Sequence, residues 1–195
     1  MKKQTIRALT VTAIFSAVAA LLQFLEIPVP LMPGFVKLDF SDVPELIVAF
    51  AEGPLWGAAV CLLKNLVHLP VTSSVGVGEL CNFLLGLCFV LPAGWIYRRK
   101  HDRAGALIAC LVGTATMAVF SFPINLWISY PIYCTLFGGE ENIVADYRAI
   151  LPSVGSLPVC LAIFNLPFTF VKGAVDSAVV FLIYKPLSTV IKRRR

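Results

Sequence analysis

The chain has 195 residues, of which 58% are hydrophobic and only 14% are charged, and its formal net charge is +5. A soluble domain carries about 25% charged residues, so this composition excludes an ordinary soluble domain and indicates a polytopic membrane protein. We expect one transmembrane domain over residues 1–195, with no separate soluble domain.

The positive charge is grouped beside apolar segments, which argues against nucleic-acid binding. Most of the 16 basic residues fall near the N-terminus, in one loop and at the C-terminus: Lys2, Lys3, Arg7; Arg98, Arg99, Lys100, Arg103; Lys185, Lys192, Arg193, Arg194 and Arg195. Positive loops remain in the cytoplasm, so this pattern predicts that both termini are cytoplasmic.

Five apolar segments follow one another along the chain, at residues 8–25, 43–69, 78–97, 104–137 and 158–184. The first could pass for a signal peptide, but we expect a retained helix because the rest of the chain is equally apolar. Five crossings would put the terminal basic groups on opposite sides. A helix break at Gly53-Pro54 removes this conflict and predicts an all-α bundle of six transmembrane helices. One kinked helix and five crossings is the alternative.

The second helix, residues 43–52, is then unusually short. It would rise only about 15 Å, half the hydrocarbon thickness, so neighbouring helices must shield it. Asp42 as N-cap and Glu45 three residues later predict a variant of the capping box. Segments 26–41, 70–77 and 138–157 are expected to be loops at the outer end.

Lys172 lies in the middle of the last apolar segment. A lysine there costs about 2.5–3.5 kcal/mol and usually faces a bundle interior or a wet cavity. Asn165, Thr169, Lys172 and Asp176 recur at helical spacing and therefore share one face, with Asp176 as a possible counter-ion. This polar stripe indicates a buried functional site.

Other polar residues interrupt the apolar helices. For Lys64, pairing with Asp42 or Glu45 is favoured over ligand contact. Glu79 is explained by its place near a helix N-terminus, where the helix dipole favours an acid. Asn82 lies deeper and is a candidate for a hydrogen bond to a ligand.

Asn125 lies in the fifth helix between two prolines that free backbone carbonyls. It can satisfy those carbonyls or reach a ligand. Nearby Trp127, Tyr130 and Tyr133 form either an interfacial belt or a stacking wall for a flat ring. Ala13 and Ala17, four residues apart in the first helix, allow another helix to approach closely, in ordinary packing or at a partner interface.

The sequence lacks the motifs of metal binding, ATP binding and hydrolysis. The six cysteines form no CxxC pair and the two histidines lack ligand spacing, so we expect free thiols, no metal and no cofactor. There is no GxxxxGK[ST] sequence for ATP and no hydrolase motif. A membrane enzyme that uses Lys172 and Asp176 remains an alternative, as does a scaffold without a ligand.

Six stretches together resemble the riboflavin-binding S components of energy-coupling factor (ECF) vitamin transporters, in order and through nearly the whole chain. They are Lys37-Leu-Asp-Phe-Ser-Asp-Val-Pro44, Gly53-Pro54 with Gly57, Lys64-Asn65, Asn82-Phe83, Asn125 with Pro131, and Pro167-Phe-Thr-Phe-Val-Lys-Gly173. The resemblance implies a bacterial cell-membrane protein that binds riboflavin as transported substrate. It also implies a membrane T component and two cytoplasmic ATPases as partners.

The resemblance implies roles for individual residues. Asn125 and Lys172 match polar ligand contacts, and Ala13 and Ala17 match a motif that packs on the T component. Thr169 departs from the family, where asparagine can occupy that position, and Asn165 can compensate. The candidate substrate-binding residues are Leu38, Asp39, Glu79, Asn82, Asn125, Tyr130, Asn165, Thr169 and Lys172. An S component for another vitamin is the nearest alternative.

Overall fold

The computed structural model describes residues 2–72 and 74–192, with side chains described at 4–72 and 74–183. Helices make up nearly all of it. In chain order they are α1 (Lys2–Phe24), α2 (Asp42–Ala51), α3 (Pro54–His68), α4 (Val77–Arg99), α5 (Arg103–Ile124), α6 (Tyr130–Leu136), α7 (Glu140–Ile150), α8 (Leu157–Cys160) and α9 (Leu166–Lys192). A 3₁₀ turn, Leu69–Val71, follows α3.

Five helical stretches in this described part are long and apolar enough to cross a membrane: Gln4–Phe24, Pro54–Val71, Val77–Arg99, Arg103–Leu136 and Leu157–Ile183. The prediction of an all-α, multi-pass membrane protein is therefore confirmed. The side chains of Lys2, Lys3 and the basic residues from Lys185 onward lie outside the described residues.

The predicted break at Gly53-Pro54 is confirmed. Gly53 has a positive φ of 115°, which a side chain would strain, and Pro54 occupies the first turn of α3. The short helix α2 before this break is buried from Asp42 to Phe50. It packs against α1, α3, α4 and α9. Neighbouring helices thus shield the element that is too short to cross a bilayer alone.

The capping box predicted at the start of α2 is wrong. Asp42 is the first helical residue, and the preceding Ser41 makes no side-chain capping bond. The carboxylates of Asp42 and Glu45 instead lie 2.6 Å from the Lys64 ammonium. The fully buried Lys64 ammonium would be costly to leave without an opposite charge, so the two acids turn inward to it.

Two segments that were predicted to be loops contain regular structure. Residues 26–41 form an antiparallel ribbon, in which β1 (Ile27–Pro28) pairs with β2 (Lys37–Leu38). The segment 138–157 contains α7, whose first turn carries two glutamates and whose last turn carries Arg148, as the helix dipole favours. This segment is too polar to cross a membrane and was therefore predicted to be a loop. Its apolar residues nevertheless recur at helical spacing and form the buried face of α7.

Gly57 sits where α3 comes closest to α2 and α4. A Cβ atom at Gly57 would lie 2.6 Å from Val90 Cγ1, 2.7 Å from Ala49 Cβ and 2.8 Å from the carbonyl oxygen of Glu45. These atoms belong to the packed core, so they cannot move aside cheaply.

We expect Gly57→Ala to lower the free energy of unfolding by about 1–3 kcal/mol, because it forces these helices apart. Thermal unfolding of the purified protein in detergent measures the change. Gly155→Ala is the control, since a Cβ at Gly155 has nothing within 4 Å. Equal stability of the two variants would show that α3 does not pack as described.

Candidate functional site

A cavity of about 660 Å³ opens at the end of the bundle where the ribbon lies, and we call it the ribbon-end cavity. Its volume is in the range of sites that hold small organic ligands. Seven of the nine predicted substrate-binding residues line it: Asp39, Glu79, Asn82, Asn125, Tyr130, Asn165 and Lys172.

The other two candidates, Leu38 and Thr169, are not among the lining residues. Leu38 lies in β2 between Lys37 and Asp39, which both line the cavity. The Thr169 hydroxyl donates to the backbone carbonyl of Asn165 at 2.8 Å, so it is used within its own helix. Asn165, one turn earlier, supplies the polar group at this part of the wall.

Aromatic rings form one wall of the ribbon-end cavity. Phe35, Tyr130, Tyr133 and Phe137 all line it, and the Phe35 ring centroid lies 6.2–6.4 Å from the other three. Trp127 is 74% exposed and faces away. The two tyrosines therefore belong to the wall, whereas the tryptophan belongs to the outer surface. Phe35, in an otherwise irregular segment, gave no signal in the sequence.

Tyr130 of this wall closes a ring of hydrogen bonds with Asn165 and Tyr147. The Tyr147 hydroxyl donates to Asn165 Oδ1 at 2.6 Å, and Asn165 Nδ2 donates to the Tyr130 hydroxyl at 2.8 Å. Tyr130 then donates to Tyr147 at 2.5 Å. Burial raises the pKa of the Tyr147 phenol well above its ordinary value, so it keeps its proton. Asn165 is thereby held with one donor and one acceptor still free.

The two wall asparagines, Asn125 and Asn165, both lie in π-bulges. One bulge runs from Asn125 to Ser129 and the other from Leu161 to Asn165. A proline follows each bulge by two residues, at Pro131 and Pro167. A proline removes a helical hydrogen bond and its ring presses on the carbonyl four residues earlier, inside each bulge, so the helix widens there.

The amide of Asn125 is free to serve a ligand. Its Oδ1 accepts from the Cys81 thiol at 3.3 Å, and Nδ2 has no partner among the described residues. Asn82 also lines the cavity and has no hydrogen-bond partner in the described part of the chain. These donors and acceptors face a space that is otherwise aromatic and aliphatic.

Lys172 forms the floor of the cavity and is surrounded by acids. Its ammonium lies 2.7 Å from Asp42 Oδ2, 3.3 Å from Asp176 Oδ2 and 3.1 Å from the backbone carbonyl of Asp39. The predicted counter-ion Asp176 is confirmed, while the closer acid, Asp42, was missed. An ammonium has three N–H donors, and all three are used here.

Asp42 is shared by a second lysine. Lys64 Nζ lies 2.6 Å from Asp42 Oδ1 and 2.5 Å from the Ser41 hydroxyl, and Lys64 is fully buried. The predicted pairing of Lys64 with Asp42 and Glu45 is confirmed. Two lysines from α3 and α9 therefore bind the start of α2 below the cavity, and we call these groups the two-lysine network.

Glu79 lies at the rim of the cavity rather than merely at a helix start. Its carboxylate is 2.8 Å from His68 Nδ1 and accepts from the Thr72 hydroxyl at 2.8 Å. The His68 ring also packs on Phe24, with 4.9 Å between ring centroids. The helix dipole alone was an incomplete explanation, because these contacts join α1, α3 and α4 at the rim.

Ala13 and Ala17 are exposed on α1, on the surface of the bundle, whereas Ala19 and Ala20 are buried. The pair is thus outside the internal packing of this chain. The six cysteines are free. In the described residues, no group of three or more His, Cys, Asp or Glu side chains is placed to hold a metal ion.

A multi-pass helical bundle with a ligand-sized cavity at one end and a few convergent polar groups defines a class: a membrane protein that binds a small molecule. Within that class, the chain belongs to the family of ECF transporter substrate-specific components, whose family model matches residues 7–184. It is a transport component and not an enzyme.

Individual relatives agree with this membership. The chain is 32% identical to the "Riboflavin transporter RibU" of Staphylococcus aureus (strain TCH60), over 98% of this chain and 95% of the relative. It is 31% identical to the "Riboflavin transporter FmnP" of Bacillus subtilis (strain 168), over 97% and 96%. A solved structure, described as "Structure and mechanism of the S component of a bacterial ECF transporter", superposes with a TM-score of 0.75, at 30% identity, covering 98% of this chain and 99% of that chain.

Proposed function

We propose that this chain is the riboflavin-binding substrate-specific component of an ECF transporter. The observation that carries the proposal is the ribbon-end cavity, which combines an aromatic wall with free asparagine amides. Riboflavin has the matching chemistry, a flat ring system and a polyhydroxyl chain. The names of relatives that match over nearly the full length support the same ligand.

Each lining group has a proposed role. Phe35, Tyr130 and Tyr133 take the ring system, and Asn82, Asn125 and Asn165 take the polar edge and the ribityl hydroxyls. Lys172 and Asp39 form the floor of the cavity. Glu79 joins the helix ends at the rim of the cavity through His68 and Thr72. Leu38 and Thr169 support their neighbours Asp39 and Asn165 from behind.

The proposed membrane arrangement has six crossings, with α2 as the second. Both termini and the basic loop at residues 98–103 then lie in the cytoplasm, and the ribbon-end cavity opens outside. The chain carries no nucleotide-binding motif, so energy must come from partners: a T component and two cytoplasmic ATPases. The exposed Ala13 and Ala17 face packs on the T component. Riboflavin is cargo, and no resident cofactor is needed.

A titration of riboflavin fluorescence with the purified protein in detergent tests the ligand. We expect saturable quenching at sub-micromolar to micromolar flavin, with one flavin bound per chain, because the flavin stacks on the aromatic wall. Heat-denatured protein is the control for nonspecific quenching. The absence of saturation at micromolar flavin would overturn the assignment, and competition by thiamine or biotin would favour the alternative of another vitamin.

A further inference from the structure

A second cavity lies at the end of the bundle away from the ribbon. It has a volume of about 360 Å³ and is lined by the turn between α2 and α3, including Glu52, and by Trp56 in the first turn of α3. Arg98 in the last turn of α4 and His101 just after α4 complete the lining. Helix α4 rises about 28 Å between Glu79, at the rim of the ribbon-end cavity, and Arg98. We call this second site the basic-end cavity.

The basic-end cavity offers positive charge. Arg98 and His101 are exposed, and in the described part of the chain no acid lies within ion-pair distance of Arg98. Glu52 is the one acid among the described lining residues. Its side chain is 1% exposed and lies 3.8 Å from the Arg7 guanidinium, which offsets its charge.

The acid nearest to His101 in sequence is also occupied. Asp102 caps α5, where its carboxylate accepts from the Gly105 amide at 2.6 Å. Arg99 and Lys100 are exposed beside the cavity and add to its positive field. An anion that entered would therefore meet the Arg98 guanidinium and the His101 ring, with no competing free carboxylate among the described lining residues.

Tryptophans mark the depth of the basic-end cavity in the membrane. Trp56 lines it, and Trp95, one turn before Arg99, is 52% exposed on the outer surface of α4. Trp side chains concentrate at the level of lipid headgroups. Leu55, which also lines the cavity, is 73% exposed and continues the apolar surface of the bundle.

We propose that the basic-end cavity binds the phosphate headgroup of an anionic phospholipid. Arg98 and His101 contact the phosphate, Trp56 covers the glycerol region, and the acyl chains follow the surface at Leu55. Basic pockets between transmembrane helices recognise anionic headgroups through these same contacts. This site is separate from the ribbon-end cavity and does not depend on the identity of the ligand bound there.

Native mass spectrometry of the full chain, titrated with phosphatidylglycerol or phosphatidylcholine, tests the proposal. We expect a one-to-one adduct that prefers phosphatidylglycerol. Arg98→Gln should weaken that adduct about fivefold, because a direct, solvent-accessible contact between its guanidinium and the phosphate contributes about 1 kcal/mol. Arg99→Gln is the matched control: it removes the same charge from the neighbouring residue outside the cavity and should change the affinity less than about twofold.

Thermal unfolding in detergent reports whether each variant is folded. Equal affinity for the two lipids, or equal effects of the two substitutions, would overturn the proposal. So would displacement of the lipid by millimolar glycerol phosphate, because the site would then be one for soluble anions. Unchanged lipid binding by Arg98→Gln with loss of ATP-driven uptake would instead assign the cavity to contact with a transporter subunit.

Discussion

Asp42→Asn is expected to lower the free energy of unfolding by about 3–5 kcal/mol, the largest effect we predict on stability. Asp42 is fully buried, and its two carboxylate oxygens lie 2.6 Å from Lys64 Nζ and 2.7 Å from Lys172 Nζ. Asparagine keeps the size of the side chain but removes the charge that both ammonium groups face. Lys64 then keeps Glu45 and Lys172 keeps Asp176, but both buried cations lose a contacting carboxylate in the same substitution, and this loss dominates.

Thermal or denaturant unfolding in detergent measures this change. The matched control is Asp146→Asn, the same substitution on the exposed surface of α7, which should change stability by less than about 0.5 kcal/mol. If both variants unfold at the same temperature, Asp42 does not bind the two lysines together in the folded protein.

Asn125→Ala is expected to have the largest effect on ligand binding among changes that leave the fold intact. Loss of an amide that serves a buried ligand costs about 1–3 kcal/mol, which corresponds to roughly a 5- to 150-fold rise in the riboflavin dissociation constant. The fold should tolerate the change, because the bond that Asn125 receives from the Cys81 thiol is weak.

Riboflavin fluorescence quenching gives the dissociation constant, and thermal unfolding without flavin gives the stability. Thr116→Ala in α5 is the control, since its exposed hydroxyl donates to the Val112 carbonyl of its own helix, at 2.7 Å. Wild-type affinity in Asn125→Ala would remove this residue from the binding site, whereas loss of the folded protein would assign it a structural role.

The structure also separates Asn125 from Lys172, which the sequence treated alike. From the sequence alone, alanine at either position should weaken binding and leave folding nearly intact. Because the three donors of Lys172 already serve Asp42, Asp176 and the Asp39 carbonyl, its removal would disturb the two-lysine network as well as the cavity floor. Asn125 is therefore the cleaner probe of ligand contact.

Features that depend on one segment of chain could be predicted from the sequence. The break at Gly53-Pro54 follows from the conformations of two adjacent residues, and the stripe from Asn165 to Asp176 follows from the period of a single helix. The four members of that stripe are all buried, as expected.

Features that join distant segments could not be predicted in the same way. Asp42 and Lys172 are 130 residues apart, and hydropathy contains no information on which helices are neighbours. The same limit applies to Phe35, whose place in the aromatic wall depends on how the ribbon folds over α6. The hydrogen bond of Thr169 has a local cause that its place in the stripe does not reveal, because its hydroxyl donates to the carbonyl of the preceding turn.

The two π-bulges have a consequence for how such a pocket evolves. Each bulge contains one residue more than a regular helical turn, and each carries an asparagine of the wall, Asn125 or Asn165. Deletion of a single residue there would restore the regular helix and leave the helix on either side in nearly the same phase, because the wide turn alone accommodates the extra residue. A homologue can therefore add or remove a side chain that faces its ligand by gaining or losing one residue at the bulge, without turning the lipid-facing surface of the helix.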